Sequence, residues 1–209
     1  QIALGVAAIP FASFLYGITV GKYNFKVIKQ RLFFPDLPEA FDGTTLTHIS
    51  DVHSGSFDDA DKIQYAIDLI NEQNSDMVLF TGDIVNTHAT EMDPWIATFK
   101  GIHNPKFGKF SILGNHDYGE YIDWNSQSEK QANFEGIKAI HDKIDFKLLL
   151  NEHVKIKKDN QELAIVGVEN WGRKFGERGD LKLASNGLTK EDFKIVMSHD
   201  PSHWDEKIQ

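Results

Sequence analysis

An α/β domain, its sheet largely parallel or mixed and covered by helices, with one membrane-spanning helix in front of it, is the fold class this sequence predicts. Two patterns predict it. Short β-like runs alternate with segments whose apolar residues recur at helical spacing, and residues 2–21 contain no charged side chain. At 209 residues, 41% hydrophobic and 25% charged, the chain can bury one substantial core, so one main domain is expected. A formal charge of -9 opposes attraction to a polyanion, and no nucleic-acid partner is expected. The absence of cysteine excludes disulfides, thiolate metal sites and a thiol nucleophile, leaving carboxylate, imidazole and amide as available ligands.

Along the chain, twenty helical residues rise about 30 Å, the thickness of a bilayer's hydrocarbon core, so 1–21 reads as a transmembrane helix, the alternatives being a buried core helix or the hydrophobic stretch of a signal peptide. Gly5, Pro10 and Gly17 weaken a helix in water but are tolerated in membrane spans, and Tyr16 suits an interface. Lys22, Lys26, Lys29 and Arg31 follow at once, which by the positive-inside tendency puts the remainder on the cytoplasmic side. Residues 22–43, with Pro35, Pro38, Asp36, Glu39 and Asp42 towards their end, read as a juxtamembrane connector. The globular domain is expected over 44–209. Its strand candidates are 44–50, 76–81, 107–113, 162–168 and 193–198. Ile63, Ala66, Ile67 and Ile70 mark a helix with Asp58 or Asp59 as N-cap; Ile137, Ile140 and Ile144 mark another, beginning at Ser126 with Glu129 at capping-box spacing. The chain opens on Gln1 rather than Met and ends without a capped helix or polar tail, so both ends are expected to be cut.

Four polar clusters follow four of the strand candidates: Ser50-Asp51-Val52-His53, Thr81-Gly82-Asp83, Leu113-Gly114-Asn115-His116-Asp117 and Ser198-His199-Asp200. The carboxyl ends of strands in open α/β sheets are where ligands bind, so the four can converge in one crevice. Within Asp51-x-His53 the extended backbone has a period of two, so both side chains can point to one side and grip a cation. Gly82 and Gly114 remove a side chain where the backbone turns tightly or approaches a ligand. Carboxylate and amide oxygens mixed with imidazole suit Mn, Fe or Zn, and so many acceptors call for two divalent ions. Two such ions can deprotonate a water between them and hold the phosphate oxygens during in-line attack. Each cluster alone has an ordinary alternative: a loop acid, a turn, or an asparagine accepting a left-handed backbone. Their order and strand-end placement favour a metal site.

Jointly the clusters resemble the signature of the calcineurin-like metallophosphoesterases: Asp-x-His, Gly-Asp, Gly-Asn-His-Asp/Glu, a later His, then Gly-His-x-His. The resemblance implies a layered sandwich of mixed β-sheets flanked by helices, C-terminally truncated because the last motif is not found before Gln209. It implies that Asp51, His53 and Asp83 bind one metal and Asp83, Asn115 and His199 the other, with Asp83 bridging. It also implies that His116, not itself a ligand, protonates or stabilises the leaving oxygen. Where the protein phosphatases of this superfamily have Asp-Arg, this chain has Asn86-Thr87, which disfavours a phosphoprotein substrate. The bacterial membrane-linked phosphodiesterase branch, some of whose members hydrolyse lipid-linked nucleotides, is the closer likeness.

The expected activity is therefore hydrolysis of a phosphodiester or pyrophosphate, a lipid-linked nucleotide among the candidates. The rival class is a catalytically inactive scaffold of the same fold at the membrane. All five ligand positions and His116 keep competent residues, which favours turnover. Trp171 and Arg173 are weaker candidates for a substrate wall and a phosphate contact, a packed aromatic in a glycine turn being the alternative. His48, His88, His103, His141 and His153 match no motif position and are expected to be structural or superficial.

Overall fold

In the computed structural model, which describes residues 2–19 and 21–208, the first sheet forms around an uninterrupted apolar run. That run is strand β2 (Met77–Phe80), buried at every position, as a strand covered on both faces should be. Parallel to it lie β1 (Leu46–Ile49) and β3 (Lys109–Ser111), and β4 (Lys147–Leu148) pairs with β3, giving the order β1-β2-β3-β4. Parallel neighbours need long crossovers. Helices α2 (Ala60–Glu72), α3 (Ile96–Lys100) and α4 (Gln127–Lys143) supply them. Asp59 caps α2 by accepting from the Lys62 amide at 3.1 Å, and Ser126 caps α4 by accepting from the Glu129 amide at 3.1 Å. The capping box is half made, because the Glu129 carboxylate accepts from Asn125 Nδ2 at 2.9 Å.

Strand alternation then divides the core. Val78 and Phe80 pack with Ile63 and Ile67 of α2 and Ile137 and Ile140 of α4, whereas Met77, Leu79 and Phe110 face a second sheet through Leu163 and Ile165. Each large side chain buried in these layers contributes about 1.5–3 kcal/mol. The second sheet is an antiparallel pair, β5 (Glu152–Lys158) and β6 (Gln161–Gly167), with β7 (Lys194–Met197) parallel to β6. Its outer face packs Ala164 and Val166 against Ala184 and Leu181 of the short α5 (Leu181–Ala184). Helices, sheet, sheet and helix thus make the expected layers. Only the smaller sheet is mixed, however, the larger one being wholly parallel.

Upstream, α1 (Ile2–Thr19) is one helix with Pro10 inside it. Its 18 residues rise about 27 Å, and no helix among the described residues is long and apolar enough to cross a membrane. Gln1, Val20 and Gln209, which belong to the expected helix over 1–21 and domain over 44–209, lie outside the described residues. The segment between α1 and β1 is pinned at both ends. The Tyr23 ring joins the helix-side core, its hydroxyl donating to Asp58 at 2.6 Å, and Phe41 is fully buried between the sheets.

Candidate metal centre

The crevice lies beyond the carboxyl ends of β1, β2, β3 and β7, because each strand leads directly, or in β3 after Ile112, into one of the polar clusters. The first two loops are zipped together: the amides of Asp51, His53 and Ser54 donate to the carbonyls of Gly82, Asp83 and Ile84 at 3.0, 3.0 and 3.1 Å. Asp51, His53 and Asp83 adopt left-handed backbones, with φ of 54°, 47° and 59°. This overturns the extended geometry expected for Asp51 to His53; a left-handed turn, not strand alternation, aims the two side chains. Non-glycine residues held in this region carry strain of order 1–3 kcal/mol, and here the zipped loops hold it. Asn115, by contrast, is right-handed (φ -68°), so a left-handed requirement does not account for it.

Gly82 and Gly114 are small for a reason the sequence left open. A Cβ on Gly82 would overlap the backbone nitrogen of Gly114, and a Cβ on Gly114 would overlap the Asp83 carboxylate. The glycines allow the second and third loops to touch each other. Asp117 then locks that contact. Fully buried, it accepts from the amides of Asp83, Gly114 and Ile84 at 2.8, 2.8 and 2.9 Å. Burial and then the Asp83 charge push its carboxyl up to about 7, against the pull of those three donors.

Asp83 is the centre of the site, 2% exposed. One of its oxygens lies 3.5 Å from His53 Nε2 and 3.4 Å from His199 Nε2, while the other accepts from the His116 amide at 2.9 Å. Burial raises the pKa of Asp83, but the bond and charge of His199 outweigh it and hold the carboxyl below its usual range. Burial likewise opposes charge on His199, yet the bond to Asp83 lifts the imidazole to about 9. His199 Nδ1 donates to the Thr81 carbonyl at 2.7 Å, turning Nε2 towards Asp83 and towards Asn115 Oδ1 at 3.0 Å. His116 Nδ1 is held in the same way by the Asn86 carbonyl at 2.7 Å, which frees its Nε2. A backbone carbonyl at Asn86 therefore does what an orienting side-chain acid would otherwise do.

Ligand atoms of two trios each fall within 4.8 Å of one another: His53, Asp83 and His116, and Asp51, Asp83 and His199. Asp83 belongs to both. The partition differs from the implied one, in which His53 goes with Asp51 and His116 stays outside; His53 Nε2 is also 3.8 Å from Asp51 Oδ1. This donor set, with three imidazoles, the Asp51 carboxylate and the Asn115 amide oxygen around the buried Asp83 carboxylate, fits divalent transition ions.

A match to the family model for the calcineurin-like phosphoesterases covers residues 44–208. The chain belongs to that family. Among relatives, a transmembrane protein with a metallophosphoesterase domain from Danio rerio is 26% identical over 196 residues, 90% of this chain and 42% of the relative. An uncharacterised metallophosphoesterase of Aquifex aeolicus (strain VF5) is 27% identical, over 86% of this chain and 63% of its own length. The YkoQ metallophosphoesterase of Bacillus subtilis (strain 168) is 23% identical over 96% of this chain and 69% of its own length. The chain thus spans about half the length of the first two of these phosphoesterase relatives.

The weaker candidates are engaged with the chain's last residues. Trp171 is buried, stacked on His203 with ring centroids 5.5 Å apart, and Arg173 forms an ion pair with Glu206. Of the histidines outside the motifs, His48 bonds Thr81 Oγ1 at 2.8 Å, His153 bonds the Ala184 carbonyl at 2.8 Å, and His141 is fully buried in α4. Two residues whose roles sequence reasoning missed are Asp117 and Tyr121. For Asp117 the signal was its place as the acid that closes the Gly114-Asn115-His116-Asp117 motif; for Tyr121 there was none, since only the fold stacks its ring on His116.

Proposed function

We propose that this chain hydrolyses a phosphoester, most simply a phosphodiester or pyrophosphate, with Asp51, His53, Asp83, Asn115 and His199 as metal ligands and His116 as the acid at the leaving oxygen. The observation that carries the reading is the membership of Asp83 in both ligand trios, which suits a bridging carboxylate. Two divalent ions of Mn, Fe or Zn type would supply Lewis acidity to the phosphoryl group and lower the pKa of a water. Within the protein, Asp83 holds the centre and His199 presents Nε2 because Thr81 fixes its Nδ1. His116, fixed likewise by Asn86, keeps Nε2 for proton delivery to the departing oxygen. Lipid-linked nucleotides remain the substrate class we favour within the diesters. Support comes from a relative described as a transmembrane protein and from Ile9, Phe11, Phe14 and Tyr16, all exposed along α1.

On the same grounds we propose attachment to a membrane through residues 1–21 and, from Lys22, Lys26, Lys29 and Arg31 directly after them, a domain on the cytoplasmic side. Pelleting with membranes and resistance to a carbonate wash are expected; recovery of the chain in the soluble fraction would refute the attachment. For the site itself, Asp83→Ala is expected to abolish both bound-metal equivalents and diesterase activity, near-ultraviolet circular dichroism reporting the fold. A folded variant that still binds two ions contradicts the bridging role.

A further inference from the structure

Asn115 presents a problem that its position in the motif does not solve. Its side chain ends in an oxygen that can bind a cation and an amide nitrogen that cannot, and the two ends are nearly the same size. For the oxygen to face the crevice, the nitrogen needs an acceptor behind it. Tyr121 supplies one: Asn115 Nδ2 donates to the Tyr121 hydroxyl at 2.5 Å, and Asn115 Oδ1 lies 3.0 Å from His199 Nε2, on the metal side.

The same tyrosine also covers His116. The two rings stack with centroids 4.4 Å apart and planes at 26°, while His53 meets His116 edge-on at 4.8 Å and 88°. The imidazole is therefore confined by a ring on its face, a ring at its edge and the Asn86 carbonyl at Nδ1. Tyr121 itself is 48% exposed, so its ring is not retained as core packing. It lies beyond the 3-10 turn His116–Tyr118, whose left-handed Gly119 (φ 63°) turns the chain back. Trp124 Nε1 then donates to the Gly119 carbonyl at 2.6 Å, and Glu120 pairs with Arg178 at 2.7 Å, anchoring both sides of the loop that carries the tyrosine.

We propose that Tyr121 is a positioning residue for both halves of the chemistry: its hydroxyl sets Asn115 oxygen-first towards the second metal, and its ring holds His116 in line with the leaving group. The inference rests on the metal-site reading above. It separates into two parts because hydroxyl and ring can be removed one at a time. Tyr121→Phe keeps the stack and removes the acceptor, so Asn115 loses the bond that fixes its orientation. Tyr121→Ala removes both.

The experiment is Mn2+ titration of the chain followed by electron paramagnetic resonance of the free ion, on the wild type, Tyr121→Phe, Tyr121→Ala and Asp83→Ala. Melting of each metal-free protein is measured alongside. For Tyr121→Phe the weaker Mn2+ equivalent is expected to lose about fivefold in affinity, the worth of one ordinary hydrogen bond, with the tighter equivalent and the metal-free melting point unchanged. Tyr121→Ala should show the same metal defect and, in addition, a larger loss of turnover with poor than with good leaving groups. Wild-type Mn2+ binding by Tyr121→Phe, or an equal weakening of both equivalents with a lowered metal-free melting point, overturns the inference. Failure of the underlying reading looks different, since there Asp83→Ala would keep two Mn2+ equivalents or the wild type would bind none.

Discussion

At the scale of single residues, His116 carries the sharpest chemical claim. Its Nδ1 is committed to the Asn86 carbonyl, leaving Nε2 free, and Nε2 has two possible employments: proton donor or metal ligand. If it is the donor, His116→Ala keeps metal stoichiometry and loses on the order of 10²-fold in turnover on a poor leaving group, less on nitrophenolate. Loss of a metal equivalent in that variant would make His116 a ligand instead. Which side chains meet in the crevice was legible from their types and from where they fall, at the ends of strands. Their geometry was less so. Asp51 and His53 are separated by one residue whether the backbone is extended or left-handed, so spacing alone could not reveal the turn. The motif marked the place of Asp117 but not its contacts with the Asp83 loop, and nothing local marked Tyr121, which acts across a turn.

Among the elements, each of the five strand candidates falls on a strand (β1, β2, β3, β6 and β7), β2 most plainly with four apolar residues in a row, and α2 and α4 showed in their isoleucine stripes. Strands β4 and β5 escaped. The first is two residues long, and β5 carries Glu152, Lys155, Lys157 and Lys158, so its inward Val154 and Ile156 are too few to stand out. Helix α4 also holds an element-scale weakness. His141 is fully buried beside Phe80, with neither ring nitrogen hydrogen-bonded, and burial pushes its imidazole down to about 3. The unfolded chain, with an ordinary pKa near 6.5, takes up the proton first, so stability is lost as pH falls from about 6.5 towards 3, by up to about 1.4 kcal/mol per pH unit. His141→Leu should therefore raise stability by about 1–3 kcal/mol at pH 7, by removing unpaired polar atoms, and by more at pH 5. Urea midpoints at the two pH values decide it. An equal gain at both would mean that His141 is not the group that titrates.

Across the whole molecule, the helices, two sheets and outer helix are tied to α1 by a short strap, and the strap reaches into the core. In the segment expected as a connector over 22–43, Tyr23 is 8% exposed and packs in the helix-side cluster with Phe25 against it. Lys22 pairs with Asp58 at 2.6 Å, and the Asp58 amide donates to the Tyr23 hydroxyl at 3.0 Å, so the strap is fastened just before α2. The Lys22 pair is exposed and contributes little by itself; the aromatic ring is the substantial part. Where the domain is cut thus matters to its stability. A chain beginning at Gly21 keeps the ring and should melt close to the uncut protein. One beginning at Pro35 loses it, opens a cavity in the helix-side cluster, and forfeits roughly 2 kcal/mol or more of packing, lowering the melting point by roughly 4–8 °C. Tyr23→Ala in the longer of the two chains should reproduce most of that drop, which separates the loss of the ring from the loss of the strap. Equal melting points for the Gly21 and Pro35 chains would show that Tyr23 is carried by the core without supporting it.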